Sequence, residues 1–367
     1  MISVQLPQLL ADLEELVTCE SPSADTAAVA RSADLVARLG TERLGSAPEY
    51  VVVDGWTHLR WRLGDGPRRV LVLAHHDTVW PLGSLETHPF GIEDGVLRGP
   101  GCFDMKAGLV MALHALAAPP SASVTLLVTG DEELGSPSSR TLIESEAADC
   151  SAALVLEASA DHGALKLARK GVSSYEVRIT GRAAHAGLEP SRGINASVEA
   201  AHQVLAVSNL GDAELETTVT PSVLTSGTTR NTVPAAASFF VDGRAWTVDE
   251  QLRVDAAMQA LRPVLPGSSV EVLGGLNRPP LERKMSEDLY RRAERVAAEL
   301  GLEPLRSVAV GGASDGNFTA GMGTPTLDGL GAVGGGAHAD DEHVLVTELA
   351  PRTALLAALI TDLLDNP

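Results

Sequence analysis

Three apolar runs in the chain, built mainly from valine, leucine and alanine, each stop at acidic or imidazole side chains. They are 70–74 before His75-His76-Asp77, 126–130 before Asp131-Glu132-Glu133, and 152–156 before Glu157. Short runs of this kind predict strands that are buried on both faces of a parallel sheet. Because ligands bind in open α/β folds at the carboxyl ends of such strands, the pattern predicts one cluster of metal-binding and acid/base groups at that edge.

Helices are predicted in the segments between and before these apolar runs. The apolar residues from Leu6 to Val17 predict an amphipathic helix that ends before Ser21-Pro22-Ser23, and a second helix is predicted from Phe103 to Ala118, after a Gly-Pro-Gly turn. Strands alternate with helices through about residue 165. This order predicts an α/β fold in which helices flank a mostly parallel, twisted sheet.

A different pattern begins near residue 170. Tyr175, Val177 and Ile179 alternate with polar residues, which is typical of a strand with one solvated face. Further segments are predicted as helices over 195–209 and 250–261 and as strands over 238–244 and 269–273. We therefore expect a smaller α+β domain over residues 170–281, which ends after a turn at Gly274-Gly275. Residues 1–169 and 282–367 would form the larger, metal-binding domain.

Composition and charge narrow the possible partners. The 367 residues include 48 acidic and 28 basic side chains, so the net charge is −20, which argues against nucleic acid and anionic membranes as partners. No apolar stretch approaches the roughly 20 residues of a membrane-spanning helix. Three widely spaced cysteines predict no disulfide framework, and the first residues lack the basic start of a secretory signal. A cytoplasmic location is expected.

His75 and Asp77 are two positions apart, so in a strand their side chains point to the same side. Asp77 can then hydrogen-bond the far ring nitrogen of His75, which is how carboxylates orient metal-binding imidazoles. His76 points the other way and is the weaker ligand candidate. The alternative for His75 alone is a buried histidine that satisfies its hydrogen bonds near a strand end.

Further acidic side chains suit a metal site. Asp104, at the start of the predicted second helix, could bridge two metals with its two oxygens, or could serve only the helix dipole. Glu132 and Glu133 are adjacent, so an extended backbone would let one bind metal while the other faces substrate as a general base. A solvated acidic turn is the alternative for that pair, and a surface acid for Glu157.

The glycine-rich region 311–336 leads directly to His338, and its glycines predict a backbone that approaches another group closely. Gly329–Gly334 formally matches GxGxxG, but no helix can begin after it, so a dinucleotide site is disfavoured. His185, Asn231, Arg244 and Arg278 fall in the smaller domain. Each alone is more often structural or solvated than functional, and together they would suit an anionic substrate.

On the basis of these residues, the chain resembles the two-zinc amidohydrolases and peptidases. That family includes glutamate carboxypeptidase, aminoacylase, acetylornithine deacetylase and succinyl-diaminopimelate desuccinylase, and the glutamate carboxypeptidase branch looks closest. The matching segments occur in the family's order over essentially the whole chain: 74–79 (AHHDTV), 99–108 (GPGCFDMKAG), 130–136 (GDEELGS), Glu157, 181–187 (GRAAHAG) and 336–338 (GAH).

The resemblance implies two zinc ions per subunit, with cobalt or manganese as alternatives, bridged by Asp104 and by a water or hydroxide. It implies that one metal adds His75 and Glu157, and that the other adds Glu133 and His338. It also implies that the larger domain is catalytic and that the smaller domain is ferredoxin-like and acts as a lid or dimerisation domain.

The same resemblance implies roles for the remaining residues. Glu132 would be the general base that later protonates the leaving amine, and Asp77 would orient His75. His185 would stabilise the tetrahedral oxyanion, either in its own subunit or in the partner of a homodimer. Three residues match positions that contact the substrate's carboxylate or side chain: Asn231, Arg244 and Arg278.

The expected activity is a carboxypeptidase that hydrolyses the amide bond next to a C-terminal amino acid, with glutamate as the candidate. Its substrate would be a small peptide or an N-acyl amino acid with a free carboxylate. An N-acyl-amino-acid deacylase is the alternative, and a non-catalytic metal-binding relative is a third. The chain departs from the glutamate-cleaving branch at Arg169-Lys170, where that branch tends to have small polar residues, and pocket cations decide which acid is held.

Overall fold

The computed structural model describes residues 4–66, 68–117 and 123–366. The chain divides into two compact units. The first comprises Met1–Ala168, Glu282–Val310 and Ser314–Pro367, and the second comprises Arg169–Leu281 and Gly311–Ala313. Among the described residues, no helix is both long and apolar enough to cross a membrane.

In chain order the helices are α1 (Leu6–Thr18), α2 (Thr26–Leu44), α3 (Ala107–Ala115), α4 (Arg140–Ala148), α5 (Ala196–Ser208), α6 (Val248–Gln259), α7 (Glu287–Glu299), α8 (Gly316–Gly321) and α9 (Val346–Asp365). The strands are β1 (Glu49–Val53), β2 (Trp56–Leu63), β3 (Arg68–His75), β4 (Gly91–Glu93), β5 (Val96–Arg98), β6 (Ser123–Thr129), β7 (Ala152–Val155), β8 (Leu165–Arg169), β9 (Gly171–Thr180), β10 (Ala184–His185), β11 (Thr218–Ser226), β12 (Thr232–Val233), β13 (Ala236–Ala245), β14 (Ser269–Arg278), β15 (Ser307–Val310), β16 (Thr326–Leu327), β17 (Gly334–Gly335) and β18 (His343–Leu345).

The main sheet of the first unit has the strand order β1-β2-β6-β3-β7-β16. Strands β6, β3, β7 and β16 run parallel, and β2 is antiparallel to β6. The register pairs His75 with Thr129 and Leu73 with Val155, so the three predicted runs end at the same edge of the sheet. The predicted α/β fold with a mostly parallel sheet is confirmed.

Helices cover both faces of this sheet because alternate side chains of each strand face opposite layers. On one face, Val72 and Leu126 pack in a core with α1, α2, α3 and α9. On the other face, Leu73 and Leu127 pack against α4 and against Phe318 of α8. Strands β6 and β7 are buried along their whole length, which explains their unbroken apolar sequence.

The predicted helix from Phe103 begins later than expected. Residues Cys102–Lys106 form a single π-helical turn in which Asp104 has non-helical dihedral angles (φ −115°, ψ 99°), and the Asp104–Met105 peptide bond is cis. Helix α3 itself begins at Ala107. The predicted end at Ala118 lies outside the described residues. The placement of Asp104 at a regular helix start is therefore wrong, because it lies in the irregular turn before the helix.

Helix α3 approaches the end of β7 very closely. A Cβ atom added to Gly108 would lie 2.0 Å from the carbonyl oxygen of Leu156, well inside van der Waals contact. All nine residues of α3 are buried. The absence of a side chain at position 108 therefore lets the helix pack directly against the backbone that carries Glu157.

The second unit contains a four-stranded antiparallel sheet in the order β11-β13-β9-β14, with α5 and α6 between its strands in the chain. The order β-α-β-β-α-β is that of a ferredoxin-like fold. Tyr175, Val177 and Ile179 face its core, together with Phe239 and Met258. The sequence predicts all of these elements except β11, an exposed edge strand that contains a proline and lacks apolar alternation.

The turn predicted at Gly274-Gly275 is wrong, because both glycines lie inside β14. They pair with Tyr175 and Ser174 of β9. Gly274 has a positive φ of 89°, and a Cβ atom there would lie 2.2 Å from the Ser174 carbonyl oxygen. Glycine is thus required by close approach of two strands and not by a chain reversal.

Candidate metal centre

His75 ends strand β3 with a side chain that is only 2% exposed. Its Nδ1 atom lies 3.0 Å from the carbonyl oxygen of Asp77, which accepts a hydrogen bond, and 3.4 Å from Asp77 Oδ1. The other nitrogen, Nε2, lies 3.4 Å from Asp104 Oδ1 and 3.6 Å from Glu157 Oε1. The ring is therefore held from one side while its second nitrogen faces two carboxylates.

His338 occupies the opposite side of Asp104. Its Nε2 atom lies 3.4 Å from Asp104 Oδ2 and 3.1 Å from Glu133 Oε2. Asp104 thus directs one oxygen toward each imidazole. A carboxylate between two such groups has the arrangement needed to bridge a pair of metal ions.

Glu132 and Glu133 belong to one short 3₁₀ turn, Glu132–Leu134, directly after β6. The extended backbone assumed from the sequence is therefore wrong at this point. Donor atoms of His75, Glu132 and Glu157 lie within 4.8 Å of one another, as do those of His75, Asp104 and Glu133. The two neighbouring glutamates consequently reach two overlapping groups of donors.

Concentrated negative charge dominates the electrostatics of this cluster. Hydrogen bonds to Asp104 and Glu133 raise the pKa of His338 to about 10. Burial opposes a charge on His75, but hydrogen bonds to Asp104 and two further carboxylates outweigh it and raise the pKa well above its ordinary value. Burial acts against the charged form of Asp104 too, yet the two histidines hold its pKa far below the usual range. The cluster thus favours positive charge at its centre.

A pair of divalent cations fits this field, because bound metal replaces the protons that imidazoles otherwise carry. Two imidazoles with several carboxylates form a donor set suited to zinc, and also to cobalt or manganese. The candidate ligands that the structure brings together are His75, Asp104, Glu133, Glu157 and His338.

Asp77 does more than the sequence predicts. Its Oδ1 atom accepts a hydrogen bond from the backbone N–H of Glu132 at 3.2 Å, and its Oδ2 atom accepts one from the N–H of Glu133 at 3.2 Å. Ser23 Oγ also donates to Oδ2 at 2.6 Å. Asp77 is fully buried. It therefore connects the loop after β3 to the turn after β6, besides lying against His75.

Two other buried acids hold the same region, and the sequence does not single them out for this role. Asp131 accepts hydrogen bonds from the backbone N–H and hydroxyl groups of both Ser138 and Ser139. Asp315 accepts hydrogen bonds from Ser136 and Thr129. Both carboxylates fix the loop that follows β6, so the turn carrying the two glutamates is held on each side.

Arg352 stabilises the glycine-rich loop. Its guanidinium group donates to the carbonyl oxygens of Gly163, Gly329 and Gly331. The N–H of Gly331 in turn donates to the carbonyl oxygen of Glu157 at 2.9 Å. The part of this loop around Gly331 therefore supports the strand end that carries Glu157. The elements that come next in the chain after Gly329–Gly334 are β17 and β18, not a helix.

The remaining predicted residues lie in the second unit. His185 is exposed, and its Nδ1 accepts hydrogen bonds from the N–H groups of Gly187 and Leu188. The Asn231 carbonyl accepts from the N–H of Ala186, so these two predicted residues have neighbouring backbones. Arg244 lies in β13, where its guanidinium nitrogens donate to the two carboxylate oxygens of Asp242 at 2.8 Å and 2.9 Å. Arg278 ends β14 with a buried side chain.

Both cations that set this chain apart from the glutamate-cleaving branch make contacts within the second unit. Arg169 donates to the carbonyl oxygen of Gly312 at 3.1 Å and is buried. Lys170 donates to the Glu216 carbonyl, and its Nζ atom lies 5.1 Å from the centre of the Trp246 ring. These contacts give both side chains a structural role.

Comparisons with known proteins show the family to which the chain is similar. The model of peptidase family M20/M25/M40 matches residues 71–362. The chain is 31% identical to carboxypeptidase G2 of Pseudomonas sp. (strain RS-16), over 97% of this chain and 89% of that protein. It is 27% identical to the succinyl-diaminopimelate desuccinylase of Roseobacter denitrificans, over 83% of this chain and 85% of that protein.

Solved structures share the fold. The M20 family metallo-carboxypeptidase Sso-CP2 from Sulfolobus solfataricus superimposes with a TM-score of 0.78 at 17% sequence identity. The match covers 97% of this chain and 99% of that one. The architecture is therefore shared over nearly the full length of both proteins.

Replacement of Asp77 by asparagine should weaken metal binding by about 10- to 100-fold, the usual effect of removing a carboxylate that supports metal ligands. The new amide group would present N–H donors to the N–H groups of Glu132 or Glu133. The measurement is the rise in unfolding temperature on addition of zinc, compared between wild type and Asp77→Asn. Asp25→Asn is the control, because Asp25 accepts two backbone N–H groups at the start of α2, outside the cluster. An equal rise in wild type and Asp77→Asn would contradict the assigned role.

Proposed function

The chain belongs to peptidase family M20/M25/M40, and from that membership we propose that it is a carboxypeptidase with two metal ions. In this proposal it hydrolyses the amide bond next to a C-terminal amino acid, with glutamate as the candidate. The observation that carries the proposal is the position of Asp104 between His75 and His338, with Glu157 and Glu133 on either side.

These contacts support one assignment of the ligands to the two proposed metals. His75 and Glu157 would hold one metal, Glu133 and His338 would hold the other, and Asp104 would be shared. When bound, such a metal pair polarises the amide carbonyl and lowers the pKa of an attacking water. Zinc is the metal proposed, with cobalt or manganese as alternatives.

Glu132 is the proposed general base. Its carboxylate would take a proton from the attacking water and later deliver it to the nitrogen of the leaving amine. Three observations support this role: its donor atom lies within 4.8 Å of donors on His75 and Glu157, its side chain is buried, and its backbone N–H is held by Asp77. A base needs such a fixed position beside the reacting atoms.

The second unit would recognise the substrate's carboxylate. We propose that Asn231, Arg244 and Arg278 contact this carboxylate or the substrate's side chain, with Arg244 exchanging Asp242 for it, and that His185 stabilises the oxyanion. Guanidinium groups suit this task because they form paired hydrogen bonds with carboxylates. The substrate would be a small peptide or N-acyl amino acid with a free carboxylate.

An N-acyl-amino-acid deacylase is the second candidate, and the similarity to succinyl-diaminopimelate desuccinylase favours it. The similarity to carboxypeptidase G2 covers more of the chain at higher identity and supports the first. A non-catalytic metal-binding relative fits less well, because Glu132 lies in the same cluster as the proposed ligands.

We propose a cytoplasmic location for this enzyme. All three cysteines of the sequence are described, and Cys19, Cys102 and Cys150 are free thiols in the structure. Free cysteines are typical of reducing compartments.

The second unit is also proposed to form a homodimer. Large apolar side chains are exposed on helix α5 and strand β11, among them Leu205 (66%), Val223 (67%) and Leu224 (55%). Strand β11 is an edge of its sheet, and unpaired edges are sites of strand addition. This combination supports pairing with a second copy, through which His185 could reach the partner's site.

The substrate class can be tested by screening dipeptides, folate-like glutamates and N-acyl amino acids with one purified sample whose metal content is measured. We expect about two metals per chain and the highest kcat/KM for peptides with a C-terminal glutamate. Chelation should abolish the activity, and added zinc, cobalt or manganese should restore it. Preference for simple N-acyl amino acids would favour the deacylase, and full activity after chelation would refute the metal mechanism.

Glu132→Gln should keep its metal and lose turnover by about 10²- to 10⁴-fold, the usual contribution of a general base. The amide is similar in size but cannot accept the proton. The measurements are kcat and metal content, with Glu144→Gln as the control, since Glu144 pairs with Arg140 on α4. Near-normal turnover of Glu132→Gln would remove it as the base.

The dimer can be tested by sedimentation velocity. Wild type should sediment as two chains of 38.2 kDa, and Leu205→Asp should shift the population toward single chains because a charge would be buried at the interface. Leu82→Asp is the control, since Leu82 is similarly exposed (51%) in the first unit. A monomeric wild type at micromolar concentration would contradict the proposal.

A further inference from the structure

Glu342 is a buried carboxylate whose oxygens accept four hydrogen bonds. Oε1 accepts from the backbone N–H of Phe103 at 2.8 Å and of Asp104 at 3.0 Å. Oε2 accepts from the backbone N–H of Gly101 at 3.0 Å and from Trp80 Nε1 at 2.6 Å. The residue is only 3% exposed.

The need for such an acceptor comes from the turn before α3. Backbone N–H groups at the start of a helix have no acceptor within the helix. Here Asp104 has non-helical dihedral angles, so the segment Cys102–Lys106 before α3 lacks regular helical geometry. Two N–H groups of this turn, those of Phe103 and Asp104, converge on the Glu342 carboxylate together with the N–H group of the preceding Gly101, so one side chain satisfies all three.

Glu342 also connects three segments that carry proposed ligands. Trp80 lies three residues after Asp77, in the loop that follows β3 and His75. The turn at 101–104 carries Asp104. Glu342 itself lies four residues after His338, in a loop closed by hydrogen bonds from Ala339 N–H to the Gly336 carbonyl and from Glu342 N–H to the Ala339 carbonyl. One carboxylate therefore joins all three segments.

We propose that Glu342 is a positioning residue for the metal pair, which sets where Asp104 lies relative to His338. This inference rests on the metal site proposed above. Because Oε1 binds the N–H of Asp104 itself, any shift of the Glu342 carboxylate moves the backbone of the shared ligand. Because Glu342 and His338 share one short loop, the hydrogen bond between Glu342 and the Asp104 N–H also sets the position of the His338 imidazole.

An anion is required at this position. A carboxylate can accept all four hydrogen bonds, whereas the amide of glutamine has one acceptor oxygen and an NH₂ group that would face N–H donors. Glu342→Gln should therefore displace the turn and lower metal affinity by about 10- to 100-fold, as supporting contacts of metal ligands do.

The test is a zinc titration of chelator-treated protein against a chromophoric competitor, with visible absorption of the cobalt-loaded protein as a second readout. The matched control is Glu199→Gln. Glu199 is also buried, in the second unit, and it also accepts hydrogen bonds from four donor groups: the N–H groups of Val264 and Leu265, the Ser268 hydroxyl and the Gln203 amide. It should lose comparable folding stability and keep wild-type metal affinity.

Weaker zinc binding and an altered cobalt spectrum in Glu342→Gln, but not in Glu199→Gln, support the inference. Wild-type affinity in a folded Glu342→Gln protein overturns it, and so does an equal loss in both variants. A wild type that binds no metal would instead refute the proposed function.

Trp80→Phe is a second variant that tests the positioning role of Glu342 if Glu342→Gln does not fold. It removes one donor and leaves the carboxylate and its backbone contacts in place. A several-fold loss of zinc affinity supports the inference, and unchanged affinity and cobalt absorption overturn it.

Discussion

Repulsion among closely spaced carboxylates is the constraint on which this site depends. Asp77, Glu132 and Glu157 are buried and Asp104 and Glu133 are half-buried at one end of the main sheet, and burial of unpaired negative charge is costly. The cost is met in two ways. Positive charge at the centre stabilises the groups that face inward, and backbone N–H groups stabilise those that face the surrounding loops. The proposed metal pair would therefore complete an electrostatic arrangement that the polypeptide already contains.

The acids in and around the cluster accordingly fall into two sets. Asp104 and Glu133 lie against imidazole rings, so their negative charges face the centre of the cluster. Asp131 and Glu342 instead accept hydrogen bonds from the backbone of neighbouring loops, and Asp77 does so while also lying against His75. The second set gives irregular segments the fixed geometry that sheets and helices obtain from their own hydrogen bonds. Loops can then present catalytic groups with the precision of regular elements.

The sequence predicted the strand ends well and the connecting turns poorly, for physical reasons. Buried parallel strands have unbroken apolar sequences, so the positions after β3, β6 and β7 could be identified directly. Strand β11 was missed because an exposed edge needs no apolar alternation. The turn around Asp104 looked helical because its flanking residues are apolar and buried. Glu342 and Arg352 were not identified because their partners are backbone groups, which every residue carries.

The close packing around Leu156 has a consequence for how this chain can vary. Its carbonyl oxygen would lie 2.0 Å from a Cβ atom at Gly108 and 2.2 Å from one at Gly331, so the peptide before Glu157 is enclosed by two positions without side chains. A methyl group at either position must push the backbone of a proposed ligand. A strict limit on sequence change near the site therefore falls on two uncharged residues that take no part in the proposed chemistry. In a library of single substitutions, these glycines would tolerate as little as the ligands themselves.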